Sequence, residues 1–196
     1  AAAFPITGSI NSYTIIAAGL SGTVTIGAAG TYTSITGAGG LFSAINTSGI
    51  GGDLTANIID ASVTESGATS LNVVTYTGCT GGPFNILIKP NTTATLTGSL
   101  GSAALIKLNG ADNVTIDGSN SGGTDRSLTI SNTSTSSPSV ISLISLGTGA
   151  GATNNTIKNC NISVRTATTG YGISVGGSTV GTSGADNDNV TIQNNS

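Results

Sequence analysis

The sequence contains no histidine, so no mechanism within this chain can use imidazole as base, acid or metal ligand. Ser-His-Asp triads and histidine-ligated zinc sites are excluded with it. Charge is scarce as well: eight acidic and five basic residues make up 7% of 196 positions, and the formal net charge is −3. That balance excludes a basic nucleic-acid footprint, and any catalysis would rest on carboxylates, Lys, Arg or Tyr. Methionine and tryptophan are missing too. No apolar run reaches the roughly 18 residues that a membrane-spanning helix needs.

What is present is Gly, with 30 copies, and abundant Ser, Thr, Asn, Ala, Ile and Leu. β-Branched residues punctuated by Gly and Asn favour many short strands, and Lys/Glu/Leu-rich helical stretches are absent. The 37% hydrophobic content separates the chain from disordered Ser/Thr-rich sequences. The length suits one domain with a substantial core. The start "AAAFPITG" looks like what remains after a small-residue export cleavage site, and we read the chain as secreted, extracellular or at the cell surface.

From about residue 104 the sequence repeats. "ADNVTIDGSN", "ATNNTIKNCN" and "NDNVTIQNNS" align, placing Ile116, Ile157 and Ile192 in register at intervals of 41 and 35 residues. Each is preceded by an alternating strand, "ALIKL" (104–108), "VISLI" (140–144) or "YGISV" (171–175). The first two are followed by another, "SLTIS" (127–131) and "NISVR" (161–165). A unit of three strands cannot bury its apolar side alone, but stacking units at roughly 4.8 Å buries a column of Ile, Leu and Val. The expected fold is all-β: a right-handed parallel β-helix with three strands per coil. A β-sandwich is the alternative, but its hairpins need turns of about two to five residues and many intervals here are longer.

"DLTANIID" (53–60), "FNILIKP" (84–90) and "TATLTG" (93–98) fit further strands, with Pro90 ending its own for want of an N–H. Leu41, Phe42 and Ile45 in "GAGGLFSAIN" have helical spacing after a Gly pair, so a short capping helix is expected near 38–46. It would cover the first open coil. Residues 1–30 stand apart from the repeat; the strand-like stretch 12–27 either folds back along the solenoid or pairs with another chain. The solenoid itself is expected over 31–196.

Cys79 and Cys160 admit one disulfide in an oxidising compartment. We read the two as unpaired, because positions several rungs apart exceed disulfide reach and Cys160 falls where a small buried residue would serve.

Two segments, "LSGTVTIGAAGTYTSITGAGGLFSAIN" (20–46) and "ALIKLNGADNVTIDGSNSGG" (104–123), resemble the right-handed parallel β-helix proteins that Bacteroidota export through the type IX secretion system. These are pectate lyase-like solenoids, many of them adhesin-like surface proteins. The resemblance covers most of the chain and implies fold more specifically than function, because such solenoids host lyases, hydrolases, adhesins and scaffolds. The chain departs from that pattern by stopping at "TIQNNS" with neither a C-terminal cap nor a sorting domain, which implies either a fragment or an end covered by something else.

In β-helix polysaccharide lyases and hydrolases, clustered Asp residues, sometimes with calcium, and an Arg base sit on an outward sheet. The resemblance makes Asp117, Asp125 and Arg126, or Asp186 and Asp188, the catalytic candidates. The repeat itself argues otherwise: Asp117 becomes Lys158 and Gln193, and Asp112 becomes Thr153 and Asp188, so a calcium ladder would meet a lysine. What persists is Asn113, Asn154 and Asn189, followed by Thr115, Thr156 and Thr191. A stack of Asn at one turn satisfies turn backbone groups. We therefore expect no cofactor and no metal, and a non-enzymatic structural or adhesive protein. It would self-associate head to tail through its solenoid ends or N-terminal strand, with glycans as contact partners. Ice binding by aligned Thr hydroxyls and methyls is a further alternative. The sequons at Asn91, Asn113 and Asn189 are what so much Ser and Thr gives by chance.

Overall fold

A computed structural model describes residues 18–77, 81–165 and 169–196. Fourteen strands and one helix follow in chain order: β1 Leu20–Ile26, α1 Leu41–Ser48, β2 Ile50–Ile58, β3 Ser62–Thr64, β4 Leu71–Asn72, β5 Ile86–Pro90, β6 Ala94–Gly98, β7 Ala104–Asn109, β8 Val114–Asp117, β9 Leu128–Asn132, β10 Ser139–Ile144, β11 Thr156–Lys158, β12 Cys160–Val164, β13 Tyr171–Gly176 and β14 Thr191–Gln193. They form three parallel sheets. The first runs β1-β2-β5-β8-β11-β14, the second β3-β6-β9-β12 and the third β4-β7-β10-β13. From β2 onward the chain visits the sheets in rotation, which makes a parallel β-solenoid of about five turns.

The register follows the repeat residue by residue. Ile116 pairs with Ile157 and Ile157 with Ile192, flanked by Thr115, Thr156 and Thr191. In the second sheet Ala94, Leu128 and Cys160 form one inward column and Leu96, Ile130 and Ile162 the next. In the third, Ile106 stacks on Ile141 and Ile173, and Leu108 on Leu143 and Val175. Most of these side chains are fully buried, as parallel strands stacked into a common core require. Ile192 keeps its register but is 50% exposed, because β14 is the sheet's edge strand and no described rung stacks on it.

The cap lies where helical spacing places it, shifted by a few residues. Gly37–Gly40 forms turns, with Gly39 at φ +74°, so the helix begins only at Leu41. It ends at Gly49, whose φ of +67° with ψ −171° is a backbone conformation open in practice only to glycine. Leu41, Phe42 and Ile45 are all buried. The described part of the stretch 12–27 belongs to the solenoid: β1 pairs in parallel with β2, Val24 against Ala56 and Ile26 against Ile58. Residues 12–17 lie outside the described residues. Among the described residues, no helix is long and apolar enough to cross a membrane.

Asparagines hold the turns. Among the described residues, five of the eight non-glycine residues at positive φ are Asn113, Asn154, Asn159, Asn189 and Asn194, a region Asn enters more cheaply than most residues. Within the expected ladder Asn189 donates to Asn154 Oδ1 at 3.1 Å, whereas Asn113 donates to Tyr76 Oη at 3.1 Å, in the coil before it. A second ladder runs beside it, from Asn194 to Asn159 Oδ1 (2.7 Å) and from Asn159 to Asp117 Oδ1 (2.8 Å). Fully buried Asn155 works as a clip: it accepts from the Val114 N–H at 2.9 Å and donates to the Ala111 carbonyl at 2.8 Å.

Candidate functional site

Asp117, Asp125 and Arg126, three of the five residues marked for catalysis, gather at the turn between the first and second sheets, where β8 ends and the loop 118–127 leads to β9. Asp117 forms an ion pair with Lys158 Nζ at 3.2 Å and accepts from Asn159 and from the Ser119 N–H (3.0 Å). Partial burial works to raise its carboxyl, but these three partners hold it below the ordinary carboxylate range. The lysine that disqualified a calcium ladder here neutralises the aspartate one rung below.

Asp125 is consumed more completely. Its oxygens accept the hydroxyls of Ser119 (2.6 Å), Ser127 (2.7 Å) and Ser121, together with the Asn120 N–H (3.1 Å). The three hydroxyls hold its carboxyl well below the usual range. Arg126 turns to the adjacent ladder, donating through Nε to the Asn194 carbonyl and through a terminal nitrogen to Asn194 Oδ1, both at 2.8 Å. A general base needs an available lone pair near its target proton. These carboxylates and this guanidinium instead fasten a turn.

Asp186 and Asp188 lie elsewhere, with Asp112, along a groove of about 340 Å³ at the turn between the third and first sheets. Asp112 Oδ1 accepts both the Thr153 N–H (2.7 Å) and its hydroxyl (2.8 Å), while Asp186 accepts the Gly149 N–H. Among the described residues no three His, Cys, Asp or Glu side chains are gathered closely enough to hold a metal ion.

Two buried ionisable groups complete the inventory. Cys160 sits in the core, its thiol pushed up to about 12 by burial and by the Asp117 charge, which makes it a poor nucleophile. Cys79, the other cysteine, lies outside the described residues. Glu65, the chain's one glutamate, is 1% exposed and was not singled out from the sequence. It accepts from the N–H groups of Ile35 (2.8 Å) and Thr36 (2.6 Å) and from the Thr36 hydroxyl (2.6 Å), tying the segment before α1 to the end of β3. Desolvation raises its carboxyl despite those three donors.

The outward faces differ in chemistry. On the second sheet two columns of small polar side chains stand in register, Ser62, Thr95, Thr129 and Asn161 in one and Thr64, Thr97, Ser131 and Ser163 in the other. Neither contains a charge. The first sheet carries a Thr column broken once, by Leu87 between Thr55 and Thr115. The third sheet bears a groove of about 420 Å³ in which Lys107 is the one charged lining residue. Sequence reasoning missed this groove because one wall is the irregular loop 177–183, though the outward parity of Lys107 between Ile106 and Leu108 was readable. The chain matches no protein-family model, no curated protein and no solved structure.

Proposed function

We propose that this chain is a secreted, non-enzymatic structural and adhesive solenoid that self-associates end to end. The observation that carries the reading is the fate of its chemistry-bearing side chains. Asp117, Asp125 and Arg126 each spend their polar atoms on neighbouring rungs or on their own turn, so none of the three stands poised as acid, base or anion clamp over an outward face. The last described rung leaves Val175 and Ile192 44% and 50% exposed on strands with unpaired edges. A rung from a second copy would satisfy both. Joining different surfaces in this way is heterologous, so it propagates into a filament. Electron microscopy and sedimentation of the purified chain test this: filaments or concentration-dependent oligomers are expected, and a strictly monodisperse monomer refutes it. Acidic polysaccharides incubated with the protein, with and without calcium, should release no unsaturated or reducing ends.

A second reading, ordering of water at an ice surface, is favoured by the charge-free hydroxyl columns of the second sheet. Their spacing is roughly 4.8 Å between rungs and about 6.6 Å along each strand. Thermal hysteresis measures it, and its absence at high protein concentration removes the reading.

A further inference from the structure

We infer that the groove on the third sheet is a binding site for a single acidic sugar residue, with the sugar carboxylate on Lys107 and its ring against Tyr171. The groove reaches β13, the edge strand that end-to-end association would cover, but sugar binding is read at Lys107 on β7 and association by sedimentation, so the failure of one is distinguishable from the failure of the other.

The floor is built by register. Lys107 pairs with Ser142 and Ser142 with Ser174, so the three point outward in one column across β7, β10 and β13. Ser142 and Ser174 hydroxyls are linked at 2.7 Å. Ile144, two residues along β10, is only 7% exposed and supplies an apolar patch. One end holds Ser137, whose hydroxyl is linked to Thr169 at 2.8 Å. The facing wall is the loop 177–183, including Thr179, closed on itself by Gly177 N–H to Thr182 carbonyl and Thr182 N–H to Thr179 carbonyl bonds of 3.0 Å. Tyr171 lies at the rim, 43% exposed.

This combination selects its ligand class. The volume of about 420 Å³ falls within the range of small-ligand sites. Lys107 is the only charged lining residue, in a protein of net charge −3, and the one ion pair among the described residues is Lys158 with Asp117. A single ammonium is a point charge without the bidentate fork of an arginine, and it matches one anionic group such as a carboxylate. Around it are hydroxyls that both donate and accept, an aliphatic patch and an aromatic face. A pyranose acid presents the matching set: one carboxylate, several hydroxyls and an apolar C–H face.

The test titrates the folded protein with glucuronate and N-acetylneuraminate, and with glucose and N-acetylglucosamine as neutral counterparts, by amide-resolved NMR. Saturable shifts at Lys107, Ser142 and Thr179 are expected for the acids, with dissociation constants on the order of millimolar. Lys107→Gln should weaken the acids about tenfold and abolish their advantage over the neutral sugars, and added salt should do likewise. Tyr171→Ala should weaken whatever binds, acid or neutral. Both side chains are outward-facing, so circular dichroism and melting temperature are expected to match the parent. Equal binding of acidic and neutral sugars, shifts outside the groove only, or unchanged acid affinity in folded Lys107→Gln overturns the proposal.

Discussion

Replacing Glu65 with Ala removes the acceptor for two buried N–H groups, Ile35 and Thr36, and for the Thr36 hydroxyl, which itself accepts from the Gly67 N–H at 2.9 Å. Each orphaned buried donor costs about 1–3 kcal/mol, while relief of the carboxylate's own desolvation offsets part of that. The net loss is about 3 kcal/mol, or about 6–12 °C in melting temperature for a chain of this size. In a solenoid, rungs contact only their neighbours, so the loss should be local. Hydrogen exchange is the assay: Ile35, Thr36 and the helix α1 lose protection while β9 and β10 keep theirs. Glu65→Gln should cost less, since one oxygen remains as acceptor. The pH dependence has a definite sign. Burial raises the native carboxyl above its unfolded value, so in the interval between the two the native state binds more protons, and stability falls as pH rises through it. The stability difference between wild type and Glu65→Gln therefore narrows as pH rises from the ordinary carboxyl range. A difference that widens, or intact protection of Ile35 and Thr36 in Glu65→Ala, refutes the reasoning.

Other perturbations probe the turns and the core. A Cβ at Gly118 would stand 1.9 Å from the Asn159 carbonyl oxygen, so Gly118→Ala should cost about 3 kcal/mol or more in urea denaturation. Asn155→Ala strands the Val114 N–H and the Ala111 carbonyl and should cost about 2–4 kcal/mol, and Asn155→Asp, which keeps the acceptor but sets a buried carboxylate oxygen against the Ala111 carbonyl, should cost at least as much. With its thiol pushed up to about 12 and buried, Cys160 should label with iodoacetamide only as fast as its coil opens, and promptly in denaturant. Peptide mapping reads this directly, and rapid native labelling would contradict the packing.

The register was legible because the strands repeat with little change. "VTI", "NTI" and "VTI" align without gaps, and a one-residue slip would put Ile116, Ile157 and Ile192 outside. The turn chemistry was legible only where it repeats. Asn113, Asn154 and Asn189 stood out as a column, but Asn155 and Asn132 act once each, through bonds to Val114 and to Leu100 of long sequence separation that no local pattern marks. Glu65 had a usable signal in its parity. Alternation from Val63 places it inward, and an inward lone glutamate must find donors. The groove had the least signal, since its floor is alternation but its wall is a loop with no period.

These observations explain why so polar a sequence carries so little poised chemistry. A solenoid coil turns corners every few residues, and each corner exposes backbone groups that the parallel ladders cannot reach. Asn, Ser, Thr and Asp answer that need with short side chains, and here no buried side-chain nitrogen or oxygen among the described residues lacks a partner. A carboxylate that accepts three hydroxyls and a backbone N–H, as Asp125 does, is held ionised and immobile, the opposite of what proton transfer asks. Recognition is then left to side chains the corners do not use, those at mid-strand on outward faces. Lys107 is such a residue, at the centre of β7 and without an ion-pair partner among the described residues, which is why the proposed sugar site lies on the third sheet and not at the acidic turns.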